Sequence, residues 1–276
     1  MTDYEKYLRI EKFPLIWCPG CGDGIVLKAM LRAIDRIGLD RDEVCMVSGI
    51  GCSSRTSGYV DVNTLHTTHG RALTFATGVK MARPDLTVIV VTGDGDATAI
   101  GGNHFIHAAR RNIDITVVLY NNWIYGMTGG QASPATPMGD RASTAPFGAI
   151  EPNFDIAALA AGAGASFVAR ETVAKPLLLD KLIERGIRKK GFALIEAMSP
   201  CPTTYGRRNR AGDGSEMTRW LKEHAVTMAK FEKLSEEERE QAILTGVFVD
   251  TDKPEFTAQY AQLVAKLGGS GAASTG

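Results

Sequence analysis

Short apolar runs rich in β-branched residues alternate with longer segments of helical periodicity along most of the chain. Val44–Ser48, Thr87–Thr92, Ile115–Tyr120 and Phe192–Ala197 are almost continuously apolar, as strands buried on both faces are. Ala165–Ala169 is a shorter candidate strand. Between these runs, Ile25–Ile37 presents a broad apolar face through Ile25, Leu27, Met30, Leu31, Ile34 and Ile37, and Gly38 is placed to stop it. Ala72–Ala82, closed by Pro84, reads as a helix, as do Ile100–Arg111, Phe154–Ala163 and Pro176–Lys190. Regular alternation of strand and helix predicts an α/β fold with a doubly wound, mostly parallel sheet and right-handed crossovers.

The pattern breaks in three places. Residues 131–153 are rich in Pro, Ser, Thr, Gly and Ala, which predicts a long loop crossing the ligand region. Residues 203–267 form an arm packing on the domain or on a partner subunit, with a capping box at Ser235–Glu238 and a short strand at Gly246–Asp250. Gly268–Gly276, made of small residues, reads as a disordered tail. Residues 1–202 are left as one domain, entered through a lead-in whose Phe13–Trp17 segment has the composition to pack against it. No internal repeat is present.

Composition narrows the class. A chain of 276 residues, 44% hydrophobic and 22% charged, can bury a large core. Lys+Arg and Asp+Glu balance at 31 each, so nothing points to nucleic acid or an anionic membrane as partner. No apolar run is long enough to span a bilayer, and the polar N-terminus lacks a signal-peptide pattern, so a cytoplasmic location is expected.

Chemistry concentrates at the ends of the strands. The run ending in Gly93-Asp94-Gly95 and the run ending in Asn121-Asn122 bracket one helix, so both polar clusters belong at carboxyl ends of parallel strands, where open α/β sheets bind ligands. The Asp94 carboxylate and the Asn122 amide oxygen are hard donors suited to magnesium shared with phosphates. Gly93 and Gly95 let backbone approach a phosphate closely. The spacing therefore predicts a diphosphate held through a divalent cation. An EF-hand starting at Asp94 fails at Ala99 and Phe105, and a dinucleotide fingerprint starting at Gly93 fails at Thr98.

Five cysteines, an odd number, argue against a disulfide framework. Cys18 and Cys21 form a C-x2-C pair, Cys52 follows one strand and Cys201 another, all at one inferred edge of the sheet. Four thiolates converging there could hold either a [4Fe-4S] cluster or a structural zinc. Cys45, inside an apolar strand, reads as a core residue.

The motif Gly-Asp-Gly with Asn-Asn resembles the thiamine diphosphate (TPP) signature. Cys18-Pro-Gly-Cys21-Gly, Gly49-Ile-Gly-Cys52-Ser, Thr68-His69-Gly-Arg71-Ala, Gly93-Asp94-Gly95, Asn121-Asn122 and Cys201-Pro-Thr follow in the order of the β subunit of 2-oxoacid:ferredoxin oxidoreductases, over about residues 13–205. Thr245-Gly-Val-Phe-Val and Pro254-Glu-Phe resemble the 2-oxoglutarate type more than the pyruvate type. This resemblance implies a TPP-binding fold of the diphosphate-domain type. Its implied cofactors are TPP, Mg2+ and one [4Fe-4S] cluster. The cluster ligands it implies are Cys18, Cys21, Cys52 and Cys201. The magnesium ligands would be Asp94, Asn122 and the Ile124 carbonyl. Backbone at Gly95-Asp96 and Gly126-Met127 would contact the diphosphate, Ile50, Gly51, Cys52 and Ser53 would touch TPP and cluster together, and His69 would lie near the diphosphate.

The implied activity is CoA-dependent oxidative decarboxylation of a 2-oxoacid, or its reversal, with electrons leaving for ferredoxin. No glutamate stands in a setting to activate TPP, so the resemblance implies an obligate α subunit supplying it, in an αβ or (αβ)2 assembly. Two readings compete: a non-redox TPP lyase or synthase with zinc at the cysteines, and a non-catalytic assembly subunit. Arg55 and Arg71 suit either a substrate carboxylate or a structural ion pair. His66, His104 and His107 read as surface or helix-packing residues, and Arg207-Arg208-Asn209-Arg210 as a solvated face.

Overall fold

The structure, a computed structural model, describes residues 2–270. Helix α1 is Asp23–Ile37, followed by strands β1, Val44–Ser48, and β2, Asn63–His66. Next come α2, Ala72–Ala82, β3, Thr87–Gly93, α3, Gly102–Arg110, and β4, Thr116–Asn121. A short ribbon, β5 (Ile124–Tyr125) and β6 (Gln131–Ala132), opens the long loop. The remainder is α4 (Ile156–Gly162), β7 (Phe167–Thr172), α5 (Pro176–Arg188), β8 (Ala193–Met198), α6 (Gly214–His224), β9 (Ala225–Thr227), β10 (Ile243–Asp250) and α7 (Phe256–Ser270).

Eight strands form one sheet in the order β2-β1-β3-β4-β8-β7-β10-β9. Every pairing is parallel except that of β10 with β7, so the expected doubly wound, mostly parallel sheet is what forms. Side chains alternate across it. Met46, Ile89, Val91, Val118 and Ile195 pack on Val26, Met30, Ile34, Leu182 and Ile183, which come from α1 and α5. Their neighbours Val47, Val88, Val90, Val117 and Leu194 pack on the opposite face against Leu73, Phe105, Ala109 and Ile156 from α2, α3 and α4. Both faces are covered, which is why the central strands read as unbroken apolar runs. Cys45 lies in the second of these cores, as expected.

Two local turns depart from the periodicity. The chain after Gly95 does not enter α3 directly but makes a π turn over Asp96–Ile100, and a second π turn over Pro202–Gly206 follows Cys201. Such wide turns occur often at functional sites. In the first, Thr98 Oγ1 donates to the Asp94 carbonyl at 2.6 Å. A Cβ at Gly101 would stand 2.3 Å from the Asp96 carbonyl, so the turn needs glycine there.

The C-terminal strand is longer than expected. β10 begins at Ile243, joins the main sheet and carries a register shift between Val247 and Val249. Gly246 at φ 123° and the half-exposed outer positions weaken the alternation that would mark it. Helix α7 runs to Ser270, past the 268 boundary of the expected tail; residues 271–276 lie outside the described residues. The lead-in packs as anticipated, with Trp17 edge-on to Tyr59 at 5.3 Å. No helix among the described residues is long and apolar enough to cross a membrane.

Candidate cofactor site at the strand tips

A cavity of about 440 Å³ opens at the carboxyl ends of β1, β3 and β4. Ile50, Gly51, Cys52, Ser53, His69, Asp94, Gly95, Asp96, Asn122, Ile124, Gly126 and Met127 all line it. Sequence spacing alone had placed Asp94 and Asn122 together, and they share this one space.

Asp94 closes β3 with 3% of its surface exposed. Ser133 Oγ donates to its Oδ2 at 2.5 Å. No cationic side chain pairs with it among the described residues, and burial pushes its carboxyl up to about 7 against the opposing hydrogen bonds of Ser133 and the Gly95 backbone. A divalent cation in the cavity would relieve that desolvation. Asn122 accepts from the Ile124 N–H at 3.3 Å, forming a tight turn after β4. A buried chain of polar groups braces the turn. Asn121 Nδ2 donates to Glu196 Oε1 at 2.7 Å, Arg170 Nε donates to Glu196 Oε2 at 2.7 Å, and Arg170 also pairs with Asp155. Asn121 Oδ1 accepts from the Trp123 N–H at 3.1 Å, which holds Trp123 at φ 62°.

Asp96 is placed differently from the sequence reading, which credited it only with backbone contact. Its side chain ties two loops to the end of β3. Oδ1 accepts from the Gly70 N–H at 2.7 Å and the Ile50 N–H at 3.3 Å, and lies 2.6 Å from His69 Nδ1. Oδ2 accepts from Thr92 Oγ1 at 2.7 Å. A Cβ at Gly49 would stand 2.1 Å from that same Oδ2, so only glycine fits. The His69 ring rests edge-on against Tyr125, their centroids 5.9 Å apart, and the Tyr125 hydroxyl donates to the Gly95 carbonyl at 3.0 Å. Burial pushes that hydroxyl up to about 12, which keeps it a neutral donor. Sequence reasoning missed Tyr125 and Ser133 as site residues. Both lie in the Pro- and Gly-rich stretch after Asn122, and no periodicity there marks which side chains turn inward.

A second cavity of about 230 Å³ lies against the first. Cys18, Cys21, Cys52 and Cys201 line it, and it shares Cys52, Asn122, Gly126 and Met127 with the larger one. All four are free thiols. A Cβ at Gly126 would stand 3.4 Å from Cys201 Sγ and 3.6 Å from Cys52 Sγ, so the two sulfurs converge on one backbone point. Trp17 Nε1 fixes the loop from outside by donating to the Cys52 carbonyl at 2.8 Å. Burial, then the negative charges of Asp23 and the neighbouring sulfurs, pushes the Cys52 thiol up to about 12 and the Cys21 thiol further. Thiolates at both positions require cationic charge among the sulfurs.

The remaining candidates lie elsewhere. His104 and His107 line a separate cavity with Arg111, between α2 and α3. His66 Nδ1 is 2.9 Å from Ser48 Oγ, and Arg71 donates to the Ile100 carbonyl at 3.1 Å. Arg55 is exposed. Among the described residues no three His, Cys, Asp or Glu side chains stand close enough to ligate a single ion.

A cavity at parallel strand tips, with an acid–amide pair on adjacent strands, is the arrangement of the diphosphate-binding domain of a TPP-dependent enzyme. The family description "Thiamine pyrophosphate enzyme, C-terminal TPP binding domain" matches residues 49–197. The 2-oxoglutarate synthase subunit KorB of Methanocaldococcus jannaschii is 52% identical over 262 residues, 95% of this chain and 97% of that one. The 2-oxoacid:ferredoxin oxidoreductase 2 subunit beta of Aeropyrum pernix is 44% identical over 201 residues, 73% of this chain and 63% of that one. A solved 2-oxoglutarate:ferredoxin oxidoreductase from Magnetococcus marinus, with 2-oxoglutarate, coenzyme A and succinyl-CoA bound, aligns at TM-score 0.85 and 33% identity, covering 96% of this chain and 90% of that chain. The chain therefore belongs to the β subunits of the 2-oxoglutarate and related 2-oxoacid:ferredoxin oxidoreductases.

Proposed function

We propose that this chain, with an obligate α subunit, carries out CoA-dependent oxidative decarboxylation of 2-oxoglutarate to succinyl-CoA, or the reverse carboxylation, with ferredoxin as electron partner. The observation that carries the reading is the shared wall: one backbone segment, Gly126-Met127, and one thiol, Cys52, border both the strand-tip cavity and the thiol cavity. A cofactor that gathers an electron pair and a centre that removes electrons singly need such contact.

The donor sets fit the cofactors. Asp94, Asn122 and the Ile124 carbonyl would hold Mg2+, and backbone at Gly95-Asp96 and Gly126-Met127 would receive the diphosphate. Cys18, Cys21, Cys52 and Cys201, which line one cavity, would hold a [4Fe-4S] cluster. Bound TPP supplies the electron sink for decarboxylation. The chain's own residues supply position. Asp96 fixes the loops of Ile50 and His69 around the cavity, Tyr125 holds the Gly95 carbonyl, and the chain from Arg170 through Glu196 to Asn121 keeps Asn122 aimed inward.

The names of the relatives favour 2-oxoglutarate over pyruvate. The test is co-purification with the α subunit and a panel of 2-oxoacids with CoA and ferredoxin. Ferredoxin reduction fastest with 2-oxoglutarate is expected. Turnover of pyruvate alone, or CoA-dependent turnover by this chain without its partner, would refute the respective parts.

A further inference from the structure

The whole chain is electrically balanced, with 31 basic and 31 acidic residues, yet the charged side chains that line the cleft beside the thiol cavity, Arg219 and Lys222, are both basic. Helix α6 starts against the Cys18–Cys21 loop: a Cβ at Gly214 would stand 2.5 Å from the Gly20 Cα, so two glycines let the helix end and the loop touch. The α6 face bearing Thr218, Arg219 and Lys222 lines an open cleft together with Gly20 and Cys21. Cys21 thus faces the thiol cavity and this outer cleft at once.

Arg219 and Lys222 are exposed, and neither has an ion-pair partner among the described residues. The acids of this helix, Asp213, Glu216 and Glu223, are exposed but do not line the cleft, and Asp213 and Glu216 are hydrogen-bonded to each other's backbone in the capping box. Arg207 and Arg210, likewise exposed and unpaired among the described residues, sit just beyond the π turn that follows Cys201. The sequence reading took that second cluster for a solvated face. The fold leaves its arginines exposed, as that reading held, and sets them on the segment that leaves the thiol cavity.

We propose that this basic cleft beside Cys21 is the docking surface for an acidic iron–sulfur electron carrier, with Arg219 and Lys222 as its principal charges. The inference rests on the reading that the four thiols hold a cluster. Electron tunnelling falls steeply with distance, so a carrier must approach where the centre is nearest the surface; Cys18 is exposed and Cys21 lines the cleft. Unpaired exposed cations contribute little to fold stability, but they steer an oppositely charged protein and fix its orientation. Carrier encounters are small and transient, so a few charges can govern them.

The experiment uses the αβ complex with ferredoxin. Arg219→Glu/Lys222→Glu is compared with wild type in ferredoxin binding by biolayer interferometry, and in turnover with ferredoxin and with methyl viologen. Binding and kcat/KM for ferredoxin should fall about tenfold or more at low salt, the gap closing as salt rises. Viologen turnover and the KM for CoA should not change. Arg219→Gln/Lys222→Gln should give an intermediate loss. Ferredoxin binding and kcat/KM equal to wild type would overturn the proposal. So would a selective rise in the KM for CoA, which would assign the cleft to its phosphates, or loss of the α subunit on purification, which would assign it to that interface. If the cluster reading itself is wrong, wild type already fails to reduce viologen and lacks visible iron–sulfur absorption, a result separate from any effect of the charge reversals.

Discussion

Asp96 Oδ1 lies 2.6 Å from His69 Nδ1 and accepts from the Gly70 and Ile50 backbone as well, so a single buried oxygen ties two loops to the tip of β3. The second oxygen takes Thr92 Oγ1, leaving the carboxylate fully satisfied. Asp96→Asn replaces one acceptor by a donor that faces donors. A loss on the order of 1–3 kcal/mol in stability is expected, read as a lowered denaturant midpoint. TPP affinity of the complex should fall at the same time, because His69 and the Ile50 loop border the cavity. A variant with wild-type midpoint and affinity would show that Asp96 organises neither loop.

Gly126 separates the two cavities, and a methyl group there would point between Cys52 and Cys201 at ordinary contact distance. Gly126→Ala should therefore fold with a near-normal melting temperature yet retain severalfold less iron and sulfide after reconstitution, measured colorimetrically per chain. Full iron occupancy in this variant would mean that the sulfurs do not close around a group at that point.

Glu196 links the Arg170 guanidinium to the Asn121 amide inside the sheet. Glu196→Ala leaves Arg170 buried with the half-exposed Asp155 as its remaining carboxylate, a change on the order of 3 kcal/mol in chemical denaturation. The turn at Asn121-Asn122 should loosen, raising the Mg2+ concentration needed for half-saturation with TPP. An unchanged cation requirement would separate this network from the site.

Much of this was legible in the sequence where one physical signal dominated. β1 and α2 fall on the expected boundaries, because an apolar run buried on both faces and an amphipathic turn pattern ended by Pro84 leave little latitude. Asp94 and Asn122 were recoverable because parallel strands bring their carboxyl ends to one side of a sheet. The role of the Asp96 side chain was not, since it depends on a π turn that no periodicity announces. Ser133 reaches Asp94 from a loop without regular structure, and β10 hides its alternation behind Gly246 and a bulge. The convergence of Cys18, Cys21, Cys52 and Cys201 was inferred from strand ends, and the fold places all four around one cavity.

The most direct measurement is titration calorimetry of TPP into the cofactor-stripped αβ complex, with and without Mg2+, for wild type and Asp94→Ala. The account predicts cation-dependent binding in wild type and none detectable in the variant, while both unfold at similar temperatures. Wild-type affinity in Asp94→Ala, or binding indifferent to the cation, would contradict it.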